Sequence, residues 1–220
     1  MNLLFTIAEL VGTVAFALSG AMVAVQKKLD IFGIMLLGVV TALGGGTVRD
    51  VLLGHTPPRV FYSGSYVALS IVSALVVFLV FRLSKGRFSQ FTGSMDAILT
   101  LSDALGLGIF AVIGARAGIT EGYGDNALLC IFLGMLTGVG GGVLRDMMCA
   151  DIPFVLRKHI YAVAAIVGAV VFYYTVAFGL DQSVASLLGM LTTFLMRVLA
   201  WHYRWNLPRA VINDPKGKSI

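Results

Sequence analysis

A chain of 220 residues that is 58% hydrophobic and only 12% charged, with a mean hydropathy of +0.93, has too little polar surface to cover a globule in water, since soluble domains carry about 25% charged residues. Its apolar side chains must face lipid or one another, which excludes a soluble enzyme or a soluble binding module. The net charge of +5 and pI near 9.4 do not signal nucleic acid, because Lys and Arg gather in short loops between apolar runs rather than on one folded face.

Apolar runs fall at 3–25, 31–53, 64–83, 95–119, 125–149, 159–179 and 183–201, each near the ~20 residues that a helix needs to span hydrocarbon. The prediction is an all-α integral membrane protein: seven transmembrane helices in a single transmembrane domain over 1–220. The first run lacks a basic flank and a small-residue cleavage site, so it reads as a retained helix. Short loops carry the turn and charge signals: Gln26 to Asp30, His55 to Arg59, Ser84 to Arg87, Thr120 to Asp125, Asp151 to Lys158 and Gly179 to Gln182.

Threading the chain through seven spans puts Lys27, Lys28, Arg82, Lys85, Arg87, Arg157, Lys158, Arg204, Arg209, Lys216 and Lys218 on one side. Only Arg59 and Arg116 fall on the other, with Glu121, Asp125 and Asp181. The side rich in Lys and Arg is the cytoplasmic one, which predicts an outside N-terminus and a cytoplasmic C-terminus. Trp201, Tyr203 and Trp205 then sit as interface anchors at the end of the seventh helix. Cys130 and Cys149 share one apolar run, about 28 Å apart on a helix, out of disulfide reach.

An internal repeat organises the chain. Gly44-Gly45-Gly46-Thr47-Val48-Arg49-Asp50 recurs as Gly140-Gly141-Gly142-Val143-Leu144-Arg145-Asp146, 96 positions later. Gly38 and Thr41 match Gly134 and Thr137. Gly12, Phe16 and Gly20 match Gly106, Phe110 and Gly114, which sets Glu9 opposite Asp103. Pro58 and Tyr66 fall opposite Pro153 and Tyr161. Each unit holds three helices, repeat one over 3–83 and repeat two over 95–179, and the helix at 183–201 has no counterpart. An odd number of spans forces the second unit to enter from the opposite side, so the repeats are expected to be inverted.

Three consecutive glycines weaken a helix. Gly44 to Gly46 and Gly140 to Gly142 both fall near the expected midplane, and they predict breaks that line a path, since loose backbone at that depth must face protein or a cavity. The alternative is that the glycines only let helices approach closely. Arg49, Asp50, Arg145 and Asp146 lie within apolar runs, where an unpaired charge costs at least about 2.5–3.5 kcal/mol. Adjacent residues point about 100° apart on a helix, so Arg and Asp are not expected to pair with each other. Matching depths predicts Glu9–Arg49 and Asp103–Arg145 pairs, leaving Asp50 and Asp146 freer to face a watery path; one static network of all six charges is the alternative. Ser19, Ser102, Thr41 and Thr137 either line a path or bond their own helix carbonyls. His55, His159 and His202 lack ligand spacing, and Asp96 lies near a boundary. No cofactor, metal or catalytic constellation is expected, and the chain is not read as an enzyme.

The doubled Gly-Gly-Gly-x-x-Arg-Asp motif, the seven spans and the chain length resemble the prokaryotic branch of the trimeric intracellular cation (TRIC) channel family over residues 3–201. The resemblance implies a homotrimer in the bacterial or archaeal plasma membrane, with a potassium-preferring cation path in each protomer. Gly44 to Gly46 and Gly140 to Gly142 inherit the hinge role. The lysine-bearing, phosphoinositide-binding motif of animal members has no counterpart in this sequence. Related bacterial sequences are labelled glycine transporters, so a secondary transporter of a small zwitterion such as glycine remains the second expectation, because both classes use broken helices near the midplane.

Overall fold

A computed structural model describes residues 3–84, 92–157 and 160–205. The expectations for Lys85, Arg87, Lys158, His159, Arg209, Lys216 and Lys218 fall outside these residues, as does the side chain of Arg157.

The described residues form helices and no strands. The order is α1 (Leu3–Gln26), α2 (Ile31–Leu52), a 3-10 turn (Arg59–Tyr62), α3 (Ser65–Leu83), α4 (Thr92–Gly118) running into a π-turn (Ile119–Tyr123), α5 (Ala127–Met148), a short α6 (Phe154–Arg157), α7 (Ala162–Ala177) and α8 (Gln182–His202). Among the described residues six helices are long and apolar enough to cross a membrane, and α7, at 16 residues, is shorter. The run expected at 159–179 therefore contributes fewer residues to its helix. Pro153 suits a helix start, and the chain after α5 spends its length on α6 before α7 begins.

Side-chain caps fix several starts. The Asp30 carboxylate accepts from Gly33 N at 2.8 Å, and its repeat counterpart Asn126 accepts from Leu129 N at 3.0 Å. Asp181 caps α8 by accepting from Ser183 N and Val184 N at 2.9 and 3.2 Å. Those backbone donors hold the Asp181 carboxyl below the usual carboxylate range. The capping contribution is therefore present above that range and fades as pH falls through the lowered value.

The helices pack through small residues, at matched places in the two halves. A Cβ on Gly20 would sit 2.4 Å from Thr41 Oγ1 and 2.5 Å from the Leu37 carbonyl. A Cβ on Gly114 would sit 2.4 Å from both Thr137 Oγ1 and the Leu133 carbonyl. Gly38 faces Ala74 and Ala17, while Gly134 faces Ala169 and Ala111. Between the halves, Phe16 stacks on its counterpart Phe110 with centroids 5.3 Å apart. Helix α8 packs on α4 and α7 outside this scheme.

The glycine triplets do not interrupt their helices. Both α2 and α5 run helical through Gly44–Gly46 and Gly140–Gly142, which corrects the expected breaks. Beside Gly45, Gly140 and Gly141 the space is filled by backbone, whereas Gly46 borders a cavity. A Cβ on Gly45 would lie 2.1 Å from the Thr137 carbonyl oxygen, and one on Gly141 2.0 Å from the Thr41 carbonyl oxygen. Gly140 would meet Gly45 Cα at 3.1 Å. The triplets are a crossing point, and close packing is the role seen. Contacts pair 45 with 137 and 41 with 141, so α2 and α5 run antiparallel and carry their Arg-Asp pairs to opposite sides of the crossing. Thr41 and Thr137 donate to the Leu37 and Leu133 carbonyls at 2.6 Å, the second of the two roles expected for them.

Candidate functional site

On one side of the crossing lies a cavity of about 330 Å³, whose wall includes Glu9, Thr13, Gly46, Thr47, Arg49, Asp50, Arg59, Tyr66 and Arg116. Glu9 and Arg49 share this wall, as their depths predict, yet they are not the observed pair. Tyr66 Oη donates to Glu9 Oε2 at 2.7 Å. Arg49 turns instead to the next residue, donating from Nε and Nη2 to Asp50 Oδ1 at 3.0 and 2.7 Å. The expectation that adjacent Arg and Asp do not pair is thereby corrected. The long, jointed arginine side chain spans the 100° between neighbours, and the fork geometry of guanidinium rewards two bonds to one carboxylate. Asp50 is not free for a watery path either, because its Oδ2 accepts from Arg59 N at 3.0 Å and the residue is buried. Arg116 lies over the Phe5 ring at 3.6 Å and adds a third arginine to a wall that also carries Glu9 and Asp50.

On the other side the equivalent residues close into a buried cluster. Arg145 Nη1 donates to Asp103 Oδ1 at 2.9 Å, the pair that depth matching predicts, and to Ser19 Oγ at 2.6 Å. Ser19 Oγ reaches Asp103 Oδ1 at 3.2 Å. Arg145 Nε donates to Asp146 Oδ1 at 2.8 Å, and Asp146 Oδ2 accepts from Phe154 N at 2.7 Å. Asp146 thus repeats the arrangement of Asp50 and is likewise engaged rather than free. From α8, Arg197 Nη2 stands 3.9 Å from Asp103 Oδ2, with its guanidinium 4.6 Å above the Tyr161 ring. Arg145 is fully buried and Asp103 is 1% exposed. Two arginines against two aspartates leave the cluster neutral, which is what makes burial at this depth tolerable. Tyr161, the repeat counterpart of Tyr66, is buried in this cluster beneath Arg197, but its Oη makes no hydrogen bond, whereas Tyr66 donates to Glu9.

The two halves therefore differ where it matters. One Arg-Asp pair opens on a cavity that also holds Glu9 and Tyr66; the other is sealed by Asp103, Ser19, Tyr161 and Arg197. Sequence reading passes over Arg197 and counts Arg116 only as a charge of the outer face, although an arginine inside an apolar run is a signal by itself. It aligns Tyr66 with Tyr161 without a role, because a tyrosine's partner depends on helix rotation. Across the faces, Lys27 Nζ meets Asp151 Oδ1 at 2.7 Å, while Glu121 meets His55 Nε2 at 3.2 Å and bonds Arg59. Asp96 is exposed. Among the described residues no group of three or more His, Cys, Asp or Glu is placed to hold a metal.

Comparison with known proteins agrees with this architecture. The family model described as "Glycine transporter" matches twice, at residues 6–82 and 100–177. The UPF0126 inner membrane protein YadS of Escherichia coli is 35% identical over 209 residues, covering 94% of this chain and 96% of that protein. A UPF0126 membrane protein of Vibrio cholerae is 38% identical over 207 residues, covering 94% and 82%. Among solved structures, a prokaryotic TRIC channel in 0.5 M KCl superposes with a TM-score of 0.84 at 34% identity, covering 94% of this chain and 100% of the other. The TRIC trimeric intracellular cation channel orthologue from Rhodobacter sphaeroides gives 0.82 at 34% identity, covering 91% and 98%. Long apolar helices, a motif doubled across an antiparallel crossing and these relatives together make the chain a multi-pass membrane protein that belongs to the prokaryotic branch of the TRIC cation channel family.

Proposed function

We propose that the protein is a potassium-preferring monovalent cation channel of the inner membrane, with a path in each protomer of a homotrimer. The observation that carries the reading is the order of polar groups through the fold. Glu9, Thr13, Thr47 and Asp50 line an open cavity. The glycine crossing follows, and beyond it lies the sealed Asp103–Arg145–Asp146 cluster. Three arginines are held by carboxylates: Arg49 by Asp50, Arg59 by Glu121, Arg145 by Asp103 and Asp146. Those arginine charges are thus offset along the route, and Glu9, bonded to Tyr66 rather than to an arginine, is the acid that can attract a cation. Asp103 Oδ2, Arg145 Nη2, Tyr161 Oη and Arg197 Nε are buried without a protein hydrogen bond, a set of donors and acceptors that water would satisfy. This conformation is then the closed one, with the cluster as the barrier. The expected measurement is unitary, potassium-selective current from purified protein in a planar bilayer; slow, saturable uptake without unitary events would overturn it.

A second reading follows from one feature of the cavity. Glu9 and Arg116 stand on its wall with opposite charges, a recognition pair for a small zwitterion such as glycine, as in a secondary transporter. The bilayer recording separates the two readings.

The fold is read as seven spans, two inverted three-helix repeats (α1–α3 and α4, α5, α7) and α8, with the N-terminus outside and the C-terminus in the cytoplasm. The reciprocal contacts at Gly45 and Gly141 support a two-fold relation between the repeats, and the count of Lys and Arg supports the orientation. Thiol labelling of intact cells checks it. A cysteine at position 27 is expected to label only from the cytoplasm and one at position 121 only from outside. Labelling of both from one side is incompatible with inverted repeats.

A further inference from the structure

Among the described residues, each face of the protein carries an ion pair that joins the two repeats at positions the repeat makes equivalent. Lys27, before α2, bonds Asp151, after α5; Glu121, before α5, bonds His55, after α2. Position 27 corresponds to 121 and position 55 to 151 in the alignment of the repeats. The pairs differ in chemistry. A lysine with an aspartate has no group that ordinarily titrates near neutrality, whereas an imidazole changes charge between pH 5 and 8.

The His55 pair also has a third member. Arg59 Nη2 reaches His55 Nε2 at 2.7 Å and bonds Glu121 Oε1. An imidazole nitrogen can accept from a guanidinium only while it is unprotonated. With a neutral imidazole, Arg59 bridges His55 and Glu121. A proton on Nε2 removes that acceptor, sets a second positive charge against Arg59, and gives Glu121 a competing partner already 3.2 Å away. Arg59 is also part of the cavity wall, and its own N–H holds Asp50. The groups facing His55 are therefore Arg59 on its own loop, Glu121 on the π-turn after α4, and the Asp50 carbonyl that accepts from His55 N at 2.9 Å. Among the described residues, Tyr62, Tyr123 and Asp125 make no hydrogen bond or ion pair with His55.

We propose that His55, Arg59 and Glu121 form a pH-responsive latch over the mouth of the cavity. Protonation of His55 transfers Glu121 from Arg59 to the imidazolium and releases the Arg59 guanidinium toward the cavity, lowering cation access from that face. The charge of the three groups rises from zero to +1 at the mouth, which depletes cations locally. The functional arm of this proposal rests on the conduction reading; the structural arm does not.

Two measurements on the full-length protein test it. In planar bilayers, shifting the bath on the His55 face from pH 7.8 to 5.8 is expected to reduce potassium current by about three-fold. The same shift on the Lys27 face is expected to leave it unchanged. His55→Gln is expected to give a current indifferent to pH, and Glu121→Gln a low current at both values. A pH response retained in His55→Gln, or none in the parent, overturns the latch. In nanodiscs, NMR of isotope-labelled histidine and arginine, with His55→Gln and Arg59→Lys assigning the signals, is expected to show Arg59 changing together with the His55 titration. Arg59 signals that stay fixed while His55 titrates overturn the proposal, even if the protein passes no current at any pH. Absence of current with co-titrating signals would instead count against conduction and leave the latch standing.

Discussion

Alanine at position 45 is expected to cost the protein most of its folded population, while alanine at the adjacent position 46 is expected to be silent or mildly stabilising. A Cβ on Gly45 would be 2.1 Å from a carbonyl oxygen of α5, and 3.0 Å from that carbonyl's carbon. Both atoms are backbone, so no side chain can rotate away and α2 and α5 must part. Parting them strips contact from the crossing that joins the two halves, at a cost of about 3 kcal/mol or more. Gly141→Ala is expected to match it, because its Cβ would lie 2.0 Å from the Thr41 carbonyl oxygen. A Cβ on Gly46, by contrast, meets nothing nearer than Arg49 Nη2 at 3.7 Å. There alanine removes a poor helix former and gains up to about 1 kcal/mol. The monodisperse fraction after detergent extraction, with the midpoint of thermal aggregation, reads both effects. Equal behaviour of the 45 and 46 variants would show that the helices are free to separate, and the crossing would lose its structural role.

That contrast within one triplet shows where sequence reading stops. Membrane insertion, the run of helices and the doubled motif follow from composition and spacing, because lipid leaves few solutions for a backbone. The glycines at 44–46 and 140–142 stand out for the same reason. Whether they break a helix or admit a neighbouring one depends on what lies beside them, and that is a tertiary fact. Helix depth correctly brings Asp103 to Arg145 and sets Glu9 and Arg49 on one wall. Depth fixes one coordinate only; rotation decides that Tyr66 takes Glu9 and that Arg49 folds back to Asp50. Arg197 was within reach from its place in an apolar run, but its partner lies on α4, far away in sequence. The match between Lys27–Asp151 and Glu121–His55 emerges only when the alignment of the repeats is laid over the ion pairs.

Removing Arg145 is expected to be the most damaging charge deletion in the chain, and the damage is expected to be relieved by removing Asp103 as well. Arg145→Gln leaves Asp103, 1% exposed, with Ser19 and the more distant Arg197, and Asp146, 2% exposed, with only the Phe154 N–H; Ser19 loses its donor. Breaking one side of a buried pair costs about 3–5 kcal/mol, since the remaining charge loses its principal partner and gains no water. Asp103→Asn alone is also costly, because Arg197 then faces no carboxylate while Arg145 keeps Asp146. In the double variant the charges balance again, so the losses should fall short of additivity by about 2–3 kcal/mol. The parallel cycle with Glu9→Gln and Arg49→Gln is expected to show less than about 0.5 kcal/mol of coupling, the level of independent sites. Arg49 and Glu9 share a cavity but hold different partners, Asp50 and Tyr66. Reversible unfolding in mixed detergent micelles, followed by circular dichroism, measures both cycles. Comparable coupling at the two sites would mean that the cavity closes to join Glu9 with Arg49 in the dominant state, and the division between an open half and a sealed half would have to be abandoned.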